Sequence, residues 1–173
     1  TTVKPAVETP AKPEPTAQSE ADKASLEKNT SSKVEQLLQI LAASAKDKAN
    51  KTIIFCQWTS FLDLIQVHLA AAGYKYTRID GSMSAVTRDA ALEALGNDPE
   101  TTIMLASLSV CSVGLNLVAA NQVIMADSWW APAIEDQAVD RVHRLGQKRE
   151  TTVFRLVVED SVEERVLGIQ GDK

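Results

Sequence analysis

Apolar residues in this chain change their spacing repeatedly after residue 30, from short continuous runs to helical periodicity and back. Short apolar runs that are rich in β-branched residues and bounded by turn residues are typical of buried strands. Five runs fit that description and are predicted as strands: residues 52–56, 76–79, 102–106, 123–126 and 152–158. The segments between them predict helices: residues 32–45, 59–72, 84–96 and 132–144, with a last helix after residue 160.

Residues that prefer helix ends support these boundaries. Gly73 is a typical residue just after a helix, and Pro132 suits the first helical position because its missing N–H would have no partner there. The N-cap candidates are Ser32, with Glu35 at capping-box spacing, Thr59 or Ser60, Ser84, and Ser161, with Glu164 at the same spacing.

The order of these elements predicts the fold class. Strands that alternate with helices of roughly ten to fifteen residues indicate βαβ units and therefore an α/β fold with a parallel sheet flanked by helices. Ligands of such sheets bind beyond the carboxyl ends of the strands. We therefore expect the functional residues in the segments that follow Cys56, Ile79, Ala106 and Ala126.

The first 32 residues have a different composition from the rest of the chain. They contain four of the six prolines, no glycine and no aromatic residue. Such a segment buries too little apolar surface to offset the loss of backbone entropy on folding. We expect residues 1–32 to form a flexible, disordered linker and residues 33–173 to form a single folded domain. Because the chain does not begin with methionine, we also expect a piece of a longer protein.

Charge and composition exclude several classes of protein. The net charge of −5 argues against a globally basic nucleic-acid coat, so any nucleic-acid contact has to come from a local patch. Two cysteines and two histidines are too few for a disulfide framework or a multi-histidine metal centre, and we predict no metal site. The longest apolar runs are too short for a transmembrane helix, and we predict no membrane partner.

Two of the segments after strands carry weak signals. In residues 57–60, a tryptophan beside two hydroxyl residues at a helix start can meet a phosphate through backbone N–H groups. An ordinary N-cap with a tryptophan over the sheet edge explains the same residues. Residues 80–84 form an Asp-Gly turn with serines, which turn chemistry alone explains.

The segment after the third strand, residues 107–117, is a long loop that bears hydroxyl groups. Gly114 permits a close approach to the backbone, and Asn116 can cap or bridge. No G-x-x-x-x-G-K-[ST] sequence occurs anywhere in the chain, so the chain lacks the loop that cradles the β- and γ-phosphates of ATP.

The segment after the fourth strand carries the most chemistry. Asp140 and Arg141 lie three and four positions after Gln137, and Arg144 lies four and three positions after them, which places the four residues on one face of the predicted helix. Guanidinium groups stabilise charge on a phosphoryl group during its transfer, as arginine fingers do. The alternative is a solvated charged helix in which Asp140 pairs with Arg144.

These segments resemble, in order and spacing, the conserved blocks of Swi/Snf-type ATPases, a branch of superfamily-two helicases. The sequence D-S-W-W-A-P in residues 127–132, followed by Q-A-V-D-R-V-H-R-L-G-Q in residues 137–147, is similar to motif VI and its preceding segment, with Ala131 where asparagine is usual. Residues 55–61 resemble motif IV, residues 79–88 resemble the next block, and residues 107–117 resemble motif V. In motif V the usual K-A-G-G is replaced by S-V-C-S at residues 109–112.

The resemblance implies the second RecA-like lobe of a double-stranded-DNA translocase, with ATP and Mg²⁺ held mainly by a first lobe that this chain lacks. It implies that Arg141 and Arg144 are the catalytic arginine fingers. The residues it places at the nucleotide are Gly114, Asn116, Gln137 and Asp140. The residues it places at the DNA backbone are Gln57, Trp58, Thr59, Ser82, Ser107 and Trp130.

Finer details of the chain are similar to the Rad-five/Rad-sixteen and helicase-like transcription factor subgroup. They are the S-S-K opening at residues 31–33, the paired tryptophans and the L-G-Q-K sequence at residues 145–148. The resemblance implies a nuclear protein of chromatin remodelling or DNA repair. Its implied partners are the first lobe, duplex DNA and nucleosomes, and the ubiquitin machinery through an upstream RING finger.

Two other functions remain open at this stage. One is an RNA-directed helicase lobe of the same superfamily, which the motif VI sequence disfavours. The other is a degenerate, non-catalytic scaffold lobe, which the altered motif V keeps open.

Overall fold

A computed structural model describes residues 31–128, 131–158 and 163 of the chain. Its described residues form five strands, four α-helices and one 3-10 helix. The strands are β1 (Thr52–Cys56), β2 (Tyr76–Ile79), β3 (Ile103–Ser107), β4 (Gln122–Met125) and β5 (Thr152–Arg155). The helices are α1 (Ser32–Ser44), α2 (Thr59–Ala71), α3 (Ala85–Asn97) and α4 (Pro132–Val142), and the 3-10 helix is Leu108–Val113.

The five strands form one sheet in the order β2-β3-β1-β4-β5, and every pairing is parallel. The predicted fold class, an α/β domain with a RecA-like parallel sheet flanked by helices, is confirmed. The predicted bounds of β1 and β2 are confirmed, whereas β3 and β4 are displaced by one residue in opposite directions. β5 ends at Arg155, three residues earlier than predicted, although Leu156 is buried.

The strand order determines which face each helix covers. The connection from β1 to β2 runs toward one edge of the sheet, and the later connections run toward the other edge. Right-handed crossovers place connections of opposite direction on opposite faces. Accordingly, α1 and α2 pack on one face, whereas α3, α4 and the 3-10 helix pack on the other.

The central strand β1 is buried on both faces. Ile53 and Phe55 belong to the core beneath α3 and α4, and Ile54 and Cys56 belong to the core beneath α1 and α2. All five residues of β1 are buried, which is why its sequence is a continuous apolar run without alternation.

Helix ends follow the expected chemistry at some positions and depart from it at others. Ser84 caps α3, since its side chain accepts a hydrogen bond from the Thr87 amide at 3.2 Å. The N-cap of α1 is Ser31, so the prediction of Ser32 is wrong by one residue. Trp58 occupies the N-cap of α2 without a side-chain hydrogen bond, so the prediction of Thr59 or Ser60 is also wrong.

Two other predicted ends have the expected residue. Gly73 follows α2 with a φ of 79°, a backbone conformation that favours glycine, and Pro132 is the first residue of α4. Almost all of the linker expected in residues 1–32 lies outside the described residues. The same is true of the helix expected after residue 160.

Replacing Phe55 by Ala should reduce the free energy of unfolding by about 3–5 kcal/mol, because the fully buried ring leaves a cavity that a packed sheet cannot close. Urea denaturation followed by circular dichroism measures this change. The control is Val86→Ala on α3, where the side chain is 80% exposed and we expect a change within about 0.5 kcal/mol. Equal effects of the two substitutions would contradict the packing described above.

Candidate functional site

The carboxyl ends of the parallel strands bring distant segments of the sequence to one edge. The segments that follow β1, β2, β3 and β4 all emerge there, and α4 packs on the 3-10 helix that follows β3. The segments in which we expect the functional residues therefore leave the sheet at one edge, because parallel strands point their carboxyl ends in one direction.

A buried carboxylate joins the ends of β1 and β4. Asp127 accepts a hydrogen bond from the backbone amide of Gln57 at 2.8 Å. The thiol of Cys56 donates to the same carboxylate, with its sulfur 3.0 Å from Oδ1 and 2.9 Å from Oδ2. Lys33 of α1 donates to the carbonyl of Ala126, the residue before Asp127, at 3.0 Å. The start of the Gln57–Thr59 segment is therefore anchored to the segment that leads into α4.

Sequence reasoning did not assign Asp127 a role. The only signal was its place at the end of a strand, immediately before the paired tryptophans. Its partner Cys56 is buried, and the thiol of Cys56 donates to the carboxylate.

Both cysteines are buried and un-ionised at neutral pH. Burial, reinforced by the negative charge of Asp127, raises the pKa of the Cys56 thiol far above its ordinary value. Burial likewise raises the pKa of Cys111 to about 12, although Arg141 acts in the opposite direction. Thiols in this state are poor nucleophiles, so the two cysteines contribute packing and, at Cys56, a hydrogen bond.

The turn after β2 is organised by Asp80. Its carboxylate accepts from the amide and the hydroxyl of Ser82 and from Nε of Arg78 at 2.9 Å. Hydrogen bonds from the hydroxyl of Ser82, from its backbone amide and from Arg78 lower the pKa of Asp80 below its usual range, and the hydroxyl has the largest effect. Together they outweigh burial, which raises the pKa. Ser82 is exposed and held in a defined position at the carboxyl edge.

The residues predicted to face DNA differ in their accessibility. Trp58 is 63% exposed, Thr59 and Ser82 are exposed, and Gln57 is half-buried. Ser107 is 1% exposed, and its hydroxyl pairs with that of Ser109 at 2.7 Å. The exposed hydroxyl at this point is that of Ser109, which stands where the motif V lysine is usual. Trp130 lies outside the described residues.

The 3-10 helix that follows β3 ends at Gly114. Gly114 has a φ of 73°, which turns the chain so that Leu115 and Asn116 run beside α3. Gly114 and Asn116 line a cavity of about 320 Å³ together with Arg88 and Leu92 of α3. The two predicted nucleotide residues of this loop are thus adjacent and open to solvent.

Helix α4 is fastened to this same loop through Arg141. Nε of Arg141 donates to the carbonyl of Cys111 at 3.1 Å, and the carbonyl of Arg141 accepts from the amide of Leu117 at 3.0 Å. One residue therefore holds both ends of the segment from Cys111 to Leu117, which contains Gly114 and Asn116. On the same helix, Gln137 is half-buried and Asp140 is exposed.

Arg144 does not lie on the helix, which is a correction to the predicted common face. α4 ends at Val142, and His143 leaves the helical conformation with a ψ of 80°. Arg144 begins the next turn with an exposed side chain. Among the ion pairs of the described residues none joins Asp140 to Arg144, so the alternative pairing has no support there.

Two further observations concern the described residues alone. They contain no group of three or more histidine, cysteine or acidic side chains arranged to hold a metal ion. Their helices are all too short or too polar to cross a membrane.

Comparison with known proteins identifies similar sequences over most of the chain. The model of the helicase conserved C-terminal domain matches residues 32–146. Similar proteins include the helicase-like transcription factor of Homo sapiens, 43% identical over 93% of this chain and 16% of that protein. They also include DNA repair protein RAD5B of Arabidopsis thaliana, 44% identical over 83% of this chain and 11% of that protein.

The fold has a counterpart among solved structures. The crystal structure of the C-terminal part of the Fun30 ATPase domain has a TM-score of 0.79 and 34% sequence identity, and the match covers 81% of this chain and 45% of that one. This chain spans less than a fifth of the length of the relatives named above.

Replacing Asp80 by Asn should lower the free energy of unfolding by about 1–3 kcal/mol at pH 7, because the charged acceptor of Ser82 and Arg78 is lost. Since the pKa of Asp80 is lowered in the folded state, its stabilisation is complete above the unfolded pKa of about 3.9 and is lost as the pH falls through the folded pKa. The deficit of the variant should therefore shrink below about pH 4.

Chemical denaturation at a series of pH values measures this deficit. The matched control is Asp89→Asn, which makes the same chemical change at an exposed position on α3. A deficit that stays constant from pH 7 down to pH 3 would contradict the role of the ionised Asp80 carboxylate.

Proposed function

Because this chain belongs to the family of helicase conserved C-terminal domains, we propose that it is the second motor lobe of an ATP-dependent double-stranded-DNA translocase. The family model spans more than half of the chain, and the relatives include helicase-like transcription factors and DNA repair proteins. The resemblance to Swi/Snf-type ATPases inferred from the motifs is thereby confirmed. ATP-dependent translocation on duplex DNA is what we propose for the whole protein.

One observation carries this proposal. Arg141 is bonded through its side chain and its carbonyl to the two ends of the loop that contains Gly114 and Asn116. Gly114 and Asn116 lie more than 20 positions before Gln137 and Asp140 in the sequence, and the bonds of Arg141 join their segment to the helix that carries Gln137 and Asp140. These bonds also hold the guanidinium of Arg141 in place. Cationic groups that are preorganised in this way lower the barrier to phosphoryl transfer.

The two arginines have different tasks in this arrangement. Arg141 uses Nε to hold the Cys111 carbonyl, which orients the guanidinium and leaves its Nη donors for a phosphate. Arg144 is exposed beyond the helix end and reaches across the cleft between the lobes. Both stabilise the negative charge that develops as the γ-phosphoryl group is transferred, with Gln137 and Asp140 beside them.

ATP and Mg²⁺ are held mainly by the first lobe, which would supply the phosphate-binding loop and the carboxylates for the metal. This chain contributes the arginines and the loop of Gly114 and Asn116 to the opposite wall of the cleft.

Duplex DNA is the proposed track. Trp58, Thr59 and Ser82 are exposed at the carboxyl edge, and Asp127 and Asp80 hold the backbone beneath them. Gln57, Ser107 and Trp130 complete the proposed set. Hydroxyl, amide and backbone N–H donors bind phosphates without reading the bases, so we expect little sequence preference and a strong dependence on salt.

The names of the relatives point to chromatin and DNA repair in the nucleus. They include DNA repair protein rad8 of Schizosaccharomyces pombe and a putative SWI/SNF-related regulator of chromatin from Arabidopsis thaliana. We propose the same setting for this protein, with nucleosomes as partners and the ubiquitin machinery reached through an upstream RING finger.

The 173-residue chain by itself should hydrolyse no ATP. It has no G-x-x-x-x-G-K-[ST] loop, and arginine fingers have no substrate to act on without a bound triphosphate. Steady-state phosphate release by the purified chain, with duplex DNA present, should equal that of a heat-treated control. Turnover above that control would refute the proposal that this lobe is half of an active site.

In the two-lobe protein, replacing Arg144 or Arg141 by Ala should lower DNA-stimulated ATP turnover by about 10³–10⁵-fold, the range for arginine fingers. ATP binding should weaken far less, because the charge that the arginines stabilise develops in the transition state. Lysine should not restore turnover at either position, since a point charge does not reproduce the planar fork.

The matched control is Lys148→Ala, which removes an exposed cation from the same charged stretch. Wild-type turnover by Arg144→Ala would show that the arginine is not a finger, whereas a lack of ATP turnover in the unsubstituted two-lobe protein would favour a non-catalytic scaffold lobe. Stimulation of ATP turnover by RNA in preference to duplex DNA would favour the RNA-directed helicase.

A further inference from the structure

Arg144 is held in a turn that lies outside any helix or strand. The turn closes with a hydrogen bond from the amide of Gln147 to the carbonyl of Arg144 at 2.9 Å, and Gly146 within it has a φ of 105°. Leu145 at its tip is fully exposed, so no packing of that side chain secures the turn. The amide of Arg144 also donates to the carbonyl of Val142 at 3.1 Å, so the position of Arg144 depends on the end of α4 and on what fastens Gln147.

The side-chain amide of Gln147 makes four hydrogen bonds. Its Nε2 donates to the carbonyl of Ala120 at 2.6 Å, and more weakly to those of Val142 at 3.2 Å and Val118 at 3.3 Å. Its Oε1 accepts from the amide of Arg149 at 3.1 Å. Three carbonyls on one side and an N–H on the other determine the orientation of the amide.

These partners belong to three different segments. Val142 is the last residue of α4. The carbonyls of the last turn of a helix receive no hydrogen bond from within the helix. Val118 and Ala120 lie between the Gly114–Leu117 loop and β4. Arg149 lies two positions beyond Gln147. Its guanidinium donates a hydrogen bond at 2.7 Å to the carboxylate of Asp47, in the connection between α1 and β1.

We propose that Gln147 is a positioning residue for catalysis, one that fixes Arg144 and the last turn of α4 against residues 118–120, which follow the loop of Gly114 and Asn116. The inference rests on the proposed function, since it requires Arg144 to be a finger. In this role Gln147 acts through the backbone of the turn that carries Arg144.

The geometry requires an amide of this length. A glutamate would direct a second negative oxygen at three carbonyl oxygens, and an asparagine is one methylene too short to reach them from the same backbone. Each change keeps Arg144 in the protein but releases its turn. Misplacing a catalytic group by about 1 Å costs about 100-fold in rate.

The experiment measures DNA-stimulated ATP turnover and ATP affinity in the two-lobe protein. Gln147→Glu should lower kcat by about 100-fold with little change in the dissociation constant of ATP. Gln147→Asn should behave similarly and serves as the second variant. The matched control, Gln39→Glu, makes the same chemical change at an exposed position on α1 and should leave kcat unchanged.

A double substitution separates positioning from general support of the fold. If Gln147 acts through Arg144, adding Gln147→Glu to Arg144→Ala should cause little further loss of turnover, because the finger is already absent. A residue that merely stabilises the lobe would lower the melting temperature in both backgrounds without this dependence.

Several outcomes would overturn the inference. Near-normal kcat in both Gln147 variants, with Arg144→Ala inactive, would refute it and leave the proposed function intact. Losses that multiply in the double variant would show that Gln147 acts independently of Arg144. Unfolding of both Gln147 variants at the assay temperature would assign the residue to stability alone. Full activity of Arg144→Ala, by contrast, would refute the proposed role of Arg144 as an arginine finger, on which the inference rests.

Discussion

Parallel pairing of β1 with β3 on one side and β4 on the other is the constraint on which the rest of the structure depends. It requires every connection to cross a face of the sheet, so helices cover both faces and the central strands have no solvent-facing side. It also brings the carboxyl ends of the strands to one edge. The same pairing that buries Ile54 and Phe55 therefore also assembles the candidate site.

Polar side chains, rather than apolar packing, shape that edge. The carboxylates of Asp80 and Asp127 accept backbone amides there, from the segments after β2 and β1, whereas the side-chain amide of Gln147 holds the turn after α4 at the opposite edge, beside the residues that lead into β4. Each of them satisfies backbone groups that no strand or helix pairs. Loops held in this way suit the proposed contacts with a second lobe and with DNA.

Residues 109–112, which depart from the usual motif V sequence, leave the contact between this segment and α4 in place. Ser109 stands where lysine is usual, and its hydroxyl pairs with that of Ser107, whereas Cys111 is buried beneath Arg141 with its carbonyl accepting from Nε. The loop thus keeps its attachment to α4 through a main-chain carbonyl, which does not depend on the side chain at that position. Its altered residues remove a cation from the edge without removing the bond to Arg141.

The sequence by itself determined the elements and their class, because strands and helices bury residues at different periods that are visible without any partner. It also located the chemistry in the segments after the strands, and its motifs identified the family. It did not reveal that Arg144 lies beyond the end of α4, or that Trp58 is the N-cap of α2, since helix ends depend on local hydrogen bonds. Nor did it reveal the roles of Asp127 and Gln147. Their partners lie up to 71 positions away in the chain, and only the tertiary structure decides which backbone groups lack a partner and which side chain reaches them.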